Sequence, residues 1–176
     1  MKTGIVILNY NDFETTKEIL DRIKEFNILD KVILVDNNST DDSYNKLKKY
    51  ESNKIVVINS GVNKGYSYGN NIGVKALINE NIDNIIISNP DIIFQEEDII
   101  KLINRLEDEN VAIIAPTVME KGELTKGWKF PRVIIDALSN LNFFGRYFKK
   151  LLLYRKEHYE TDISKVDVVS RMFFYN

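Results

Sequence analysis

The stretch NIIISNPDIIF, Asn84 to Phe94, decides how the chain is read. A run of β-forming residues passes into Ser-Asn-Pro-Asp and then resumes as Ile-Ile-Phe. Proline has no N–H to give a strand ladder, so a paired strand has to stop near Ser88. Asn89 and Asp91 then fall on a turn just past the strand. In an open α/β sheet that carboxyl edge is where ligands bind. Asp91 is therefore either a turn former or a ligand-binding acid, and the stretch alone does not choose between them.

Working outward, apolar runs alternate with helical patterns. GIVILNY supplies a strand from Gly4 to Asn9, and Asp12 stands where a cap would open the helix FETTKEILDRIKEF. Phe13, Ile19, Leu20, Ile23 and Phe26 share one face of that helix. KVILVD is a second strand, ended by NNSTDDS, in which Ser39 and Asp42 have the spacing of a capping box for DSYNKLKKY. KIVVINS is a third strand, and GVNKGYSYGNNIG opens a helix running to about Asn79. NIIIS is the fourth strand, EEDIIKLINRLEDE a helix with acids in its first turn, and VAIIAP a fifth strand. Strands without polar alternation, separated by helices, predict a mostly parallel sheet covered on both faces. Beyond Pro116 the chain is loop-like, then apolar, aromatic and basic, and VDVVSRMFFYN reads as a last strand.

Composition narrows the function classes. The 176 residues fit one domain with a sizeable core, and a net charge of -2 gives no reason to expect nucleic acid as a partner. With no cysteine, disulfides and thiolate metal sites are excluded, and a single histidine, His158, excludes multi-histidine metal sites. No apolar run approaches the roughly 20 residues that span a bilayer, so a soluble, cytoplasmic chain is expected. From Lys121 to Lys156 nine basic residues stand against two acids, interleaved with aromatics. That segment is either a core helix with basic ends or an interfacial helix at the inner face of a membrane.

Three more features carry candidate chemistry. Asp36, Asn37 and Asn38 end the second strand, either as a hydrogen-bonded turn or as acceptors for a base N–H or a ribose hydroxyl. Gly61, Gly65, Gly69 and Gly73 recur every four residues but form neither a Walker P-loop nor a dinucleotide fingerprint. Gly65 suits a turn with positive φ, and Gly69 and Gly73 suit close approach of helix to sheet. Such an approach leaves room for a ligand beside Asn63, Asn70 and Asn71. Trp128 reads as a corner filler or an acceptor-site wall, and His158 as a surface residue.

Taken in order, VILNYN, LVDNNSTDDS, NKGYSYGNNIG and SNPDIIF resemble the nucleotide-sugar-binding half of the inverting glycosyltransferases of family 2, which have the Rossmann-like GT-A fold. The resemblance covers Lys2 to Pro116, and VDVVSRMFF more loosely. It implies one GT-A-like domain, with 1–116 binding the donor and 117–176 forming an incomplete acceptor-side part. It implies that Asp91 coordinates Mg²⁺ or Mn²⁺ held by the donor diphosphate, with Asn89 replacing the first acid of the family's Asp-x-Asp. Tyr10 and Asn11 would lie beside the base, Asp36 and Asn37 at the pyrimidine or ribose, and Lys64, Gly65, Asn70 and Asn71 where the helix closes over the donor. The implied donor is UDP- or dTDP-linked, leaning toward deoxysugar or rhamnosyl-type chemistry. The implied acceptor is a hydroxyl of a polysaccharide, a protein-linked glycan or a lipid-linked glycan. The family's general base lies in an acidic motif downstream of the stretch matched by VDVVSRMFF. Asp136, Asp162 and Asp167 are spare acids without that assignment, and Arg171 stands where the family commonly has a small residue. The expectation is thus a transferase that lacks its base region and is weakly active, or a non-catalytic nucleotide-sugar-binding module. A phosphoacceptor signalling domain fits poorly, because LNYN offers amides and a phenol where such domains place acids.

Overall fold

The computed structural model describes residues 1–106, 111–117, 119–120, 123–124, 154, 158, 164, 166 and 172–175. The chain divides into two compact units, Met1–Pro116 with Arg171–Asn176, and Thr117–Ser170. In the first, the described elements are β1 (Thr3–Asn9), α1 (Phe13–Ile23), β2 (Lys31–Asp36), α2 (Ser43–Leu47) and β3 (Ile55–Asn59). They continue with α3 (Tyr66–Asn79), β4 (Asn84–Ser88), α4 (Glu96–Leu106) and β5 (Ile113–Ile114). In the second unit, β6 (Met119–Glu120) pairs antiparallel with β7 (Glu123–Leu124), and the His158 ring stacks on Tyr154 at 4.2 Å. The last strand, β8 (Met172–Tyr175), belongs to the first unit.

The sheet order is β3-β2-β1-β4-β8-β5. The first four strands are parallel, and β8 inserts antiparallel between β4 and β5. Right-handed crossovers dictate the layering. The chain steps one way through β1, β2 and β3, then reverses over α3 to place β4 on the free side of β1. Val6 and Leu8 face α3, while Ile5 and Ile7, pointing to the opposite face, are also fully or largely buried, so both faces of the sheet are covered. This is the reason these strands are apolar at consecutive positions.

Two glycines set how closely α3 lies. A Cβ on Gly69 would sit 2.4 Å from Leu8 Cδ1, and one on Gly73 would sit 2.4 Å from Val6 Cγ1. Only a residue without Cβ admits that distance without displacement. The predicted helix end at Asn79 and strand end at Ser88 are where the structure has them.

Several local expectations are corrected. The helix α1 stops at Ile23 rather than continuing to Phe26, and Phe26 instead meets the Phe94 ring edge-on at 6.2 Å. The capping box at Ser39 does not form. Asp42 is the cap residue of α2 but accepts from Asn45 Nδ2 at 2.8 Å rather than from a backbone N–H of the first turn, and Ser39 is held by Asp36. The fifth strand shrinks to Ile113–Ile114, with Ile113 exposed, because β8 rather than β5 pairs with β4. Asp12 does cap α1, accepting from Thr15 N at 3.3 Å.

Candidate functional site

The register aligns Asn9 with Asp36 and Asp36 with Asn59, so the last residues of β1, β2 and β3 form one polar row at the carboxyl edge. Asp36 is fully buried and accepts four hydrogen bonds. Oδ1 takes Ser39 N at 2.9 Å and Asn59 Nδ2 at 3.2 Å. Oδ2 takes Ser39 Oγ at 2.6 Å and Asn9 Nδ2 at 2.8 Å. A carboxylate has about four lone-pair sites, so none is left for a ligand in this arrangement. Its carboxylate ties three strand ends and the following loop together.

Asn9 is locked in turn. Its Oδ1 accepts from the Thr16 hydroxyl of α1 at 2.9 Å, while Nδ2 donates to Asp36 and to Ser39 Oγ. Asn11 adopts a left-handed φ of 52° and is engaged as well. Its N–H donates to Ser39 Oγ at 2.9 Å, its Oδ1 accepts from Thr40 N at 2.8 Å, and its Nδ2 donates to Thr40 Oγ1 at 3.2 Å. Asn11 thus latches the loop after β1 to the loop after β2 and leaves its neighbour Tyr10 exposed at the edge. Asn37 is buried, donating to Asn63 Oδ1 at 3.0 Å and accepting from Ser60 Oγ at 3.4 Å.

On the other side of β1 the strand order reverses, and this switch point lies between the ends of β1 and β4. Asn89, Pro90 and Asp91 form the predicted turn there, closed by Ile92 N to Asn89 O at 3.4 Å, with Pro90 in the second position that favours its fixed φ. Asp91 is exposed. Facing this turn is the start of α3. Gly65 precedes it with φ 90°, and Asn63 Oδ1 accepts from Gly65 N at 3.0 Å. The Tyr66 hydroxyl donates to Asn89 Oδ1 at 2.8 Å. Burial pushes the Tyr66 phenol above its usual range, the Asn70 amide opposes this, and the Asp91 carboxylate adds to the rise.

Asn70 is buried with Nδ2 on Tyr66 O at 3.0 Å, and its Oδ1 has no partner. Asn71 is exposed. Lys64 Nζ lies 5.3 Å from the centre of the Tyr68 ring, a cation–π contact beside a helix whose first turn carries no acid. Sequence reasoning missed Asn9, Thr16, Ser39, Asn59 and Tyr66. Asn9 and Asn59 carried a signal, each as a polar residue closing an apolar strand. Trp128, Asp136, Asp162, Asp167, Arg171 and nearly all of the basic segment lie outside the described residues.

The donor set at the turn suits a cation that brings its own ligands. Among the described residues no three acids or histidines cluster, so Asp91 is a single carboxylate with a neutral amide two residues away. Mg²⁺ commonly takes one or two carboxylates and completes its shell with phosphates and water.

The chain belongs to glycosyltransferase family 2: the model described as Glycosyl transferase family 2 matches residues 4–174. It is 33% identical over 120 residues to the low-salt glycan biosynthesis hexosyltransferase Agl10 of Haloferax volcanii, a match covering 67% of this chain and 37% of that protein. In fold it resembles the mannosyltransferase PcManGT of Pyrobaculum calidifontis, solved with GDP-Man and Mn²⁺ (TM-score 0.57, 18% identity, 78% of this chain and 38% of that one). It also resembles glucosyl-3-phosphoglycerate synthase of Mycobacterium tuberculosis, solved with UDP (TM-score 0.57, 14% identity, 99% and 56%). The α/β architecture is accordingly the GT-A fold. The chain spans 37% of the length of the curated relative and 38% of the mannosyltransferase.

Proposed function

We propose that this chain binds a nucleotide-diphosphate sugar at the carboxyl edge of the sheet and takes part in transferring the sugar, with inversion, to a hydroxyl acceptor. The observation that carries the reading is the convergence of four separated sequence segments on one sheet edge. These are Asn9 to Asn11, Asp36 to Thr40, Asn63 to Asn71 and Asn89 to Asp91, and they line the edge on both sides of β1, where the strand order reverses toward β4.

In this reading the nucleoside lies against Tyr10 and the edge held by Asp36, Asn37 and Asn11. The diphosphate lies toward Lys64 and the acid-free first turn of α3, which presents the positive end of a helix dipole. Asp91 would hold Mg²⁺ or Mn²⁺, with the neutral Asn89 beside it. Bound there, a divalent cation supplies counter-charge for the diphosphate as a leaving group. The chain's own contribution is positioning, because the Asp36 network fixes three strand ends before any ligand arrives. UDP or dTDP is the proposed donor nucleotide, because Asp36 and Asn37 stand where the family resemblance places contacts to a pyrimidine or ribose. A division of labour is part of the proposal, with 1–116 for the donor and 117–176 on the acceptor side. So are a cytoplasmic location at the inner face of the membrane and a lipid-linked glycan acceptor in polysaccharide biosynthesis.

Calorimetric titration with UDP, dTDP and GDP, each with and without Mn²⁺, tests the reading. Metal-dependent binding of UDP or dTDP, lost in Asp91→Ala with the fold intact, is expected. Equal affinity with and without metal removes the metal role. Preference for GDP removes the base assignment, and no binding of any nucleotide removes the donor site.

A further inference from the structure

Tyr66 is given no role by the sequence reading of its segment, yet it is the first residue of α3 and reaches across to the turn after β4. Its hydroxyl donates to Asn89 Oδ1 at 2.8 Å. A tyrosine hydroxyl has one proton to give, and here it goes to the Asn89 carbonyl oxygen. The amide of Asn89 is thereby set: its carbonyl end is occupied, and its Nδ2 donates no hydrogen bond among the described residues. The side chain is half-buried, two residues before the exposed Asp91. An aspartate at position 89 would accept only, whereas this oriented amide offers two N–H donors.

We propose that Tyr66 is a positioning residue for donor binding, holding Asn89 so that its N–H₂ end serves an oxygen of the donor and Asp91 is the only protein ligand of the cation on this turn. The inference rests on the donor-site reading above and adds to it the polarity of the Asn89 contact. Tyr66 acts only through Asn89. Removing its hydroxyl frees the amide to turn, and the carbonyl can then present itself to the diphosphate, where it repels rather than donates.

The test is a double-mutant cycle of Tyr66→Phe, Asn89→Ala and the pair, read by titration calorimetry with Mn²⁺ and the tightest of UDP, dTDP and GDP. Tyr66→Phe keeps the ring and is expected to weaken nucleotide binding about 5- to 10-fold, in the range of one hydrogen bond. Asn89→Ala should weaken it by a similar factor, and the double variant should be no weaker than Asn89→Ala alone. The Mn²⁺ concentration giving half-maximal binding should be the same in Tyr66→Phe as in the unaltered chain, a readout that general loosening of the fold would not preserve. A loss seen with the nucleoside monophosphate as well as the diphosphate places the contacted oxygen on ribose or the first phosphate. A loss confined to the diphosphate places it on the second, and both support the proposal. Unchanged affinity in Tyr66→Phe, multiplying effects in the pair, or a shifted Mn²⁺ requirement would overturn it while leaving the donor site standing. Failure of the unaltered chain to bind any nucleotide would overturn the donor site and this inference together.

Discussion

Replacing Asp36 by alanine separates a carboxylate that positions from one that contacts ligand. The side chain is fully buried with four donors on it, and the losses from truncation are unequal. Asn9 Nδ2 and Ser39 Oγ keep each other at 3.1 Å, and Asn59 is exposed enough to turn to water. Ser39 N is the donor left without a ready partner, at about 1–3 kcal/mol, and the lost charge-assisted bonds add to that. A total of about 2–4 kcal/mol is expected for Asp36→Ala. Asp36→Asn keeps the volume and one acceptor oxygen, and Ser39 Oγ can rotate to accept from the new amide, so about 1–2 kcal/mol is expected there. At about 2–4 °C per kcal/mol for a chain of this size, Asp36→Ala should lower the midpoint of thermal unfolding by roughly 4–16 °C. Urea unfolding gives the free energies, and calorimetry on the still-folded protein gives nucleotide affinity. A positioning role loses stability and affinity together, in the order Ala more than Asn. Unchanged stability with abolished nucleotide binding would refute the reasoning, because it would mean that Asp36 spends its lone pairs on the ligand and not on the fold.

Gly73→Ala puts a methyl 2.4 Å from Val6 Cγ1 and 3.2 Å from Val35 Cγ2, so about 1–3 kcal/mol of overpacking is offset by about 1 kcal/mol of helix propensity. Net destabilisation of up to about 2 kcal/mol is expected in urea, and Val6→Ala should cost less in the Gly73→Ala background than alone. Thr16→Val removes the hydroxyl that fixes Asn9 Oδ1 and leaves that buried acceptor unpaired, for about 1–3 kcal/mol by the same assay. Tyr66 should ionise above the ordinary tyrosine range in a spectrophotometric titration read as the difference from Tyr66→Phe, since burial and Asp91 raise it. With the folded value raised, the unfolded chain ionises first, so this contribution to stability is present below the ordinary tyrosine range and is lost as pH rises into it. Tyr66→Phe should remove that alkaline loss.

The parts of this protein that rest on neighbours in sequence were legible without coordinates. Apolar runs fixed β1 to β4, because strands buried on both faces leave no room for polar alternation. Asp12 was readable as a cap because its partner, Thr15, is three residues on. Pro90 fixed the end of β4 because its ring forbids the next ladder bond. The turn bearing Asp91 was therefore available from sequence. What the tertiary structure decided were competitions between local and distant partners. Ser39 had the spacing of a capping box, but Asp36 and Asn11 reach it first, because the ends of β1 and β2 lie side by side. Asp36 read as a hydrogen-bonded turn or a ligand-facing acid, and only the register that brings Asn9 and Asn59 against it shows it as a buried clasp. The fifth strand was an apolar run that the insertion of β8 beside β4 reduced to two residues. Tyr66 and Asn89 are 23 residues apart, and nothing in either segment names the other. Their hydrogen bond exists because the chain reverses over α3 and sets β4 beside β1, a consequence of strand order that no local pattern encodes.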